Sequence, residues 1–205
     1  MPGESSCMAL QDRTAASLRE QLRHALAAYE PGRTDRREAT PAAALLLLYE
    51  REDGIHLLFQ ERSHLVEHHK GEISFPGGAR DEGDGSAAFT ALRETHEEVG
   101  VAPEDVDLLG EIDEIWTRSD FRLRPFVGWL REWPYTFEFA PEEVASLLEV
   151  PLDHLTDPAN LVDDVREIDG RRVVLPSYRW GEHLIWGATA RVLTNFLDVC
   201  RTLDD

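Results

Sequence analysis

Residues 93–100 read RETHEEVG, and this octet limits the chain more than any other stretch. Glu94, Glu97 and Glu98 stand at i, i+3 and i+4, so on a helix turning about 100° per residue they share an arc of about 100°. Gly100 reads as the glycine that ends the helix, which places the acids in its last turns, where the macrodipole is already negative. A glutamate row is ordinarily a solvated face, but such faces carry basic partners at i+4, whereas Glu94 has Glu98 there. The dipole adds a penalty of roughly 0.3 to 1 kcal/mol for each exposed acid at that end. A hard divalent cation, Mg²⁺ or Mn²⁺, converts both penalties into attraction. The helix, expected from about Ser86 to Val99, must then pack through Ala88, Leu92 and Val99 and leave its acids on a polar face.

The segment before it, FPGGARDEGDGS, supplies a complement to the acids. Adjacent glycines let backbone approach a ligand and offer amides or carbonyls without side-chain obstruction. Glycine loop, carboxylate helix and cation together point to phosphate chemistry.

Around this unit the pattern predicts a mixed α/β or α+β sandwich. Leu18, Leu22, Leu26 and Tyr29 fall at helical spacing within residues 13–30, and PGRTDRREATP breaks the pattern, so residues 1–38 read as an N-terminal helix and polar linker. AAALLLLYE and IHLLFQER flank a turn at Asp53-Gly54, a predicted hairpin that opens a domain over 39–205. Residues 63–85 are expected to form a loop. VDLLGEIDEIW, RLRPFVGWLRE, RRVVLPSYRW and HLIWG read as strands, APEEVASLLEVPLDHL as a helix stopping at Pro151, and ATARVLTNFLDVCRTL as a closing helix.

Forty acidic against twenty-one basic residues give a formal charge of -19, which repels nucleic acid and anionic lipid and excludes both as partners. A small phosphorylated substrate meets the same repulsion unless a cation and local arginines reverse the field. The longest apolar run, AAALLLL at 42–48, suits a buried strand rather than a membrane span, and MPGESSCMALQDR lacks the layout of a secretory leader, so the expected compartment is the cytoplasm. Cys7 and Cys200 have no ligand-spaced histidine or cysteine nearby and are expected to be unpaired thiols.

Gly78, Asp84, Arg93, Glu94, Glu97, Glu98, Gly100 and Val101 resemble the Nudix box, G-x5-E-x7-R-E-U-x-E-E-x-G-U. Thr95 stands where an aliphatic is usual, Asp84 replaces a glutamate, and the span from Gly78 to Arg93 is one residue longer than the pattern. Upstream, LFQERSHLVEHHKGEISFPGG is similar to the signature of the coenzyme A pyrophosphatase group, L-L-T-x-R-S-x3-R-x3-G-x3-F-P-G-G. Arg62, Ser63, Gly71, Phe75, Pro76, Gly77 and Gly78 are in register, while Phe59, Gln60 and Glu67 depart from it, the last reversing a charge. The likeness runs over roughly residues 40–197.

This resemblance implies an α/β/α sandwich with a mixed β-sheet and a hydrolase acting on phosphorus-containing anhydrides. It implies Mg²⁺ or Mn²⁺ held by Glu94, Glu97, Glu98 and Gly78, with Glu94, Glu97 and Arg93 as the catalytic set, and Arg93 orienting a glutamate. The general base is expected to be a box glutamate, with Glu143 as an outside candidate. Arg62, Ser63, Lys70 and Gly77 are the implied substrate contacts, Arg118, Arg122 and Arg124 further phosphate candidates, and Trp186 and Phe121 aromatic candidates whose simpler role is packing. His64, His68 and His69 read as a polar loop. The implied partner is a small nucleoside diphosphate derivative of the coenzyme A type, and a homodimer is left open. Three functions compete: a coenzyme A pyrophosphatase, a hydrolase of another such compound (ADP-ribose or NADH), and a non-catalytic binding module on the same fold.

Overall fold

The computed structural model describes residues 14–65, 71–168 and 170–204. Helix α1 (Ala15–Ala28) is capped by Thr14, whose side chain accepts from the Ser17 amide, and it buries Ala15, Leu18, Leu22 and Leu26, the spacing read from the sequence. Strand β1 (Thr40–Arg51) follows and pairs antiparallel with β2 (Gly54–Arg62) across a tight turn at Glu52 and Asp53. Two very short strands, β3 (Ile73–Ser74) and β4 (Gly77–Ala79), lead to α2 (Ala87–Val99). Then come β5 (Val106–Glu111), β6 (Ile115–Trp116) and β7 (Phe121–Leu130). The chain continues through β8 (Val144–Pro151), the short α3 (Leu152–Thr156), β9 (Leu161–Ile168), β10 (Arg171–Trp180), β11 (His183–Ile185) and α4 (Gly187–Arg201).

β1 to β8 form one mixed sheet, with β7 parallel to β1 along Thr40–Leu48 and the other pairings antiparallel. Residues 42–49 of β1 are buried without interruption, the pattern of a strand covered on both faces. Its alternating side chains feed two cores. Ala44, Leu46 and Leu48 join α1 and α4, while Ala43, Leu45, Leu47 and Tyr49 join α2. At about 1.5 to 3 kcal/mol for each fully buried leucine, this strand is a main source of cohesion for both layers. The result is the expected α/β/α sandwich, with β9, β10 and β11 as a separate antiparallel sheet.

The site is positioned by a fork in the main sheet. β8 occupies one edge of β2, so β1 and β3 share the other; β1 in turn pairs β2 through Leu48–Arg51 and β4 through Ala42–Ala44. β3 and β4 therefore fill the wedge where β1 and β2 diverge, pinned there by the Leu45 amide donating to the Pro76 carbonyl at 2.9 Å.

Several expectations need correction. The stretch VASLLEVP is β8, not a helix: Val144, Leu148 and Val150 are buried as a period-two set against β2, and Val144 with Leu148 fits helical and extended periods equally. Residues 63–85 are not one loop, because β3 and β4 lie within them. Residues Leu161–Ile168, for which no element is expected above, form strand β9 against β10. On α2 the buried residues are Ala87, Thr90, Ala91, Thr95, Glu98 and Val99, with Ala88 and Leu92 only partly covered. The acids are thus not all on the outward face. Cys200 is buried in the core, and Cys7 lies outside the described residues.

α1 shares its core with α4 and the sheet, and both Arg19 and Arg23 hydrogen-bond the Asp107 carboxylate of β5. Among the described residues no helix is long and apolar enough to cross a membrane.

Candidate active site

α2 is delimited as its sequence demands. The Ser86 hydroxyl accepts from the Phe89 amide at 3.1 Å, and Gly100 takes φ 76° at the other end, donating to the His96 carbonyl. A Cβ on Gly100 would lie 2.7 Å from the Glu138 carbonyl oxygen, so conformation and space both require glycine.

Arg93 organises the outer part of the site. Its Nε and Nη2 donate to the two carboxylate oxygens of Asp84 at 3.0 and 2.9 Å, Nη2 also reaches the Ala79 carbonyl at 3.1 Å, and Nη1 lies 2.9 Å from both Glu94 Oε1 and Glu97 Oε2. Asp84 is buried and also accepts from the Thr90 hydroxyl and the Asp81 amide. The hydrogen bonds from Arg93 hold its carboxyl well below the usual range and hold the guanidinium above its own. Asp84, the residue that departs from the box pattern, is therefore the anchor for the arginine that orients two box glutamates.

Glu98 points the other way, into the wedge. It is 2% exposed; its Oε2 accepts from the Gly77 amide and from Gln60 Nε2, each at 2.8 Å, and Arg62 Nη1 lies 3.8 Å from its Oε1. Burial pushes this carboxyl up to about 7, against those donors and the Arg62 charge. Glu94, partly buried, is also raised by burial, opposed by Arg93, with Glu97 and Glu143 adding repulsion. Glu97 is exposed.

The two glycines have different tasks. A Cβ on Gly77 would lie 2.4 Å from the Ala43 carbonyl oxygen, so Gly77 lets β4 close onto β1 and brings its amide to Glu98. A Cβ on Gly78 would lie 2.5 Å from the Glu94 carboxyl carbon, so Gly78 leaves room for that carboxylate.

These features test whether the residues suit a divalent cation. The donors are hard oxygens, two of the three carboxyls are raised by burial despite a nearby guanidinium, and Gly78 keeps the space beside Glu94 open; the chemistry fits Mg²⁺ or Mn²⁺. In this structure Arg93 draws Glu94 and Glu97 together while Glu98 bonds Gly77 and Gln60. Among the described residues no three acids or histidines converge closely enough to enclose an ion.

Of the expected substrate contacts, Arg62 and Gly77 adjoin Glu98, and Ser63 is buried, its amide bonded to the Glu143 carbonyl and its hydroxyl accepting from the Leu65 amide. Lys70, with Glu67, His68 and His69, lies outside the described residues. His64 is exposed and its ring faces Gly71. Arg122 and Arg124 are engaged by Glu114 and Glu111, and Arg118 is exposed. Trp186 and Phe121 are partly buried. Gln60, one of the positions that depart from the signature, is the neighbour that was not among the expected site residues; its signal was an amide at the end of the apolar run LLF.

Residues 39–169 match the NUDIX domain. Nudix hydrolase 15, mitochondrial, of Arabidopsis thaliana is 32% identical over 166 residues, which are 78% of this chain and 58% of that protein. The uncharacterized Nudix hydrolase NudL of Pectobacterium atrosepticum is 37% identical over 139 residues, 67% of this chain and 71% of that one. Among solved structures, the Nudix hydrolase RenU from M. smegmatis superposes with a TM-score of 0.53 at 20% identity, covering 80% of this chain and 87% of that one, a likeness of fold. The chain belongs to the Nudix family. As such it is a hydrolase, with the family's mixed sheet and flanking helices.

Proposed function

We propose that the chain hydrolyses the pyrophosphate bond of a nucleoside diphosphate derivative, specifically coenzyme A or acyl-CoA, giving 3′,5′-ADP and 4′-phosphopantetheine or its acyl form. The observation that carries the reaction is the cluster in which one guanidinium, Arg93, ties Asp84, Glu94 and Glu97 together beside the buried Glu98. The substrate reading rests on the in-register residues Arg62, Ser63, Gly71 and Phe75 to Gly78.

Glu94, Glu97, Glu98 and Gly78 would hold the cation. A bound Mg²⁺ or Mn²⁺ neutralises pyrophosphate charge and lowers the pKa of its water. The protein's own share is orientation. Arg93, fixed by Asp84 and the Ala79 carbonyl, sets the directions of Glu94 and Glu97; the proposed base that takes a proton from the attacking water is a box glutamate, Glu97 by its exposure, with Glu143 the alternative. Arg62 adds positive charge beside Glu98 for substrate phosphate, with Lys70, Ser63 and Gly77 completing the contacts. Residues 39–205 carry the hydrolase and α1 braces its sheet. The reading places the protein in the cytoplasm, as monomer or homodimer, with no nucleic-acid or membrane partner.

The test is hydrolysis of coenzyme A, ADP-ribose and NADH with and without Mg²⁺, products resolved chromatographically. Mg²⁺-dependent release of 3′,5′-ADP is expected. The charge reversal at Glu67 favours one second reading, ADP-ribose or NADH as substrate, and preference for either over coenzyme A establishes it. No hydrolysis of any of the three compounds overturns this substrate reading.

A further inference from the structure

Glu98 is one of the proposed cation ligands, and what fixes its orientation is Gln60. The Gln60 side chain is wholly buried in β2, where the preceding Leu57, Leu58 and Phe59 are buried apolar residues. Its Nε2 donates to Glu98 Oε2, the same oxygen that accepts from the Gly77 amide. One carboxylate oxygen therefore holds two donors, while among the described residues Oε1 faces the more distant Arg62 guanidinium. The arrangement has an energetic cost. Among the described residues Gln60 Oε1 is buried without a partner, as are the Arg62 Nε and the Ser74 hydroxyl, and Gln60 and Ser74 face each other across the β2–β3 pairing. Each orphaned polar group costs about 1 to 3 kcal/mol, so an apolar side chain at position 60 would suit the core better. A buried amide here is explained by its donor, not by packing.

We propose that Gln60 is a positioning residue for the cation site: by binding Glu98 Oε2 to the Gly77 backbone, it presents Oε1 as the free ligand atom. The inference rests on the metal reading of Glu98. It predicts that loss of the amide lets the carboxylate rotate or fold inward, weakening cation binding without touching substrate. Partners that orient a metal ligand are typically worth tenfold to a hundredfold in metal affinity.

The test uses Gln60→Met, close in volume and without a donor, and Gln60→Leu as a second variant. Melting temperature is followed across a Mg²⁺ titration in the absence of substrate. The wild type should show a Mg²⁺-dependent rise, and the variants should stay folded in EDTA yet need at least tenfold more Mg²⁺ for half the rise. In assays, raised Mg²⁺ should restore kcat while KM for substrate stays unchanged, a rescue that a merely structural role would not give. A wild-type Mg²⁺ midpoint in a folded variant, or lost activity that Mg²⁺ fails to recover, overturns the assignment; so does failure of both variants to fold in EDTA. If the wild type itself shows no rise, the metal reading falls and this one with it.

Discussion

Replacing Glu98 by glutamine gives the sharpest test of the site, because it separates stability from turnover. The carboxyl rises from 4.5 to about 7 on folding. A raised carboxyl contributes fully below its unfolded value, and the contribution disappears as pH climbs through the folded one. The window is therefore pH 4.5 to about 7. At about 1.4 kcal/mol per unit, the metal-free wild type loses about 3 kcal/mol across it, with no discount for solvent because the side chain is 3% exposed. Glu98→Gln keeps an acceptor for Gly77 and Gln60 and cannot ionise, so above pH 7 it should be the more stable protein. For a chain of this size that is a melting temperature roughly 6 to 12 °C higher in EDTA, converging with wild type below pH 4.5. Thermal melts of both proteins from pH 4 to 8 read this directly. Parallel melting-versus-pH curves would refute a carboxylate whose burial outweighs its donors. The same variant should lose most turnover, and near-normal activity at saturating Mg²⁺ would remove Glu98 from the site.

Millimolar Mg²⁺ should raise the wild-type melting temperature, since a cation that binds only the folded state stabilises it by mass action, and EDTA should reverse the rise; no shift would count against a preformed site. Gly78→Ala meets only the end of the Glu94 side chain, so it should fold normally and lose turnover, whereas Gly77→Ala meets the β1 backbone and should lower the melting temperature itself; the opposite pattern in melts and assays would contradict the two tasks assigned to these glycines. Glu67→Arg should lower KM for coenzyme A more than for ADP-ribose, by roughly tenfold to a hundredfold if a charge-assisted phosphate contact forms. An unchanged ratio of kcat/KM, with ADP-ribose preferred by wild type, would replace the coenzyme A reading.

How far the sequence could be read depends on whether local signals decided each element. α2 was legible because Ser86 and Gly100 mark its ends, and β1 because an unbroken apolar run admits few other placements. The segment 144–151 misled because Val144 and Leu148 satisfy both periods; what selects the strand is the free edge of β2, a tertiary fact. β9 escaped notice because its aspartates mask a strand that pairs with β10 along its whole length. At the site, the glutamate row was legible as chemistry but not as geometry. Spacing put three acids on one arc, yet Glu98 is buried in the wedge between β1 and β2, Glu94 lies against Gly78 and Glu97 is exposed, and nothing local announces that fork. Asp84 is the reverse case: a mismatch by pattern, it proves by contact to be what Arg93 is built upon.

The mouth of the β2–β3 hairpin bears on how this scaffold could be reshaped. The Arg62 amide donates to the Glu72 carbonyl at 3.0 Å and the Gly71 amide to the Arg62 carbonyl at 2.9 Å, so the segment between them begins and ends at one stapled point. Closure entropy grows only by about 0.6 kcal/mol for each doubling of loop length. Because the staple itself lies in Arg62, Gly71 and Glu72, these residues, Gly77 and the carboxylate helix are expected to keep their places when the sequence between the stapled residues is changed. Grafting at this staple should change substrate preference while leaving Mg²⁺-dependent turnover intact, an outcome read from kcat/KM on the compound panel; loss of all turnover would tie the segment to the carboxylate site instead.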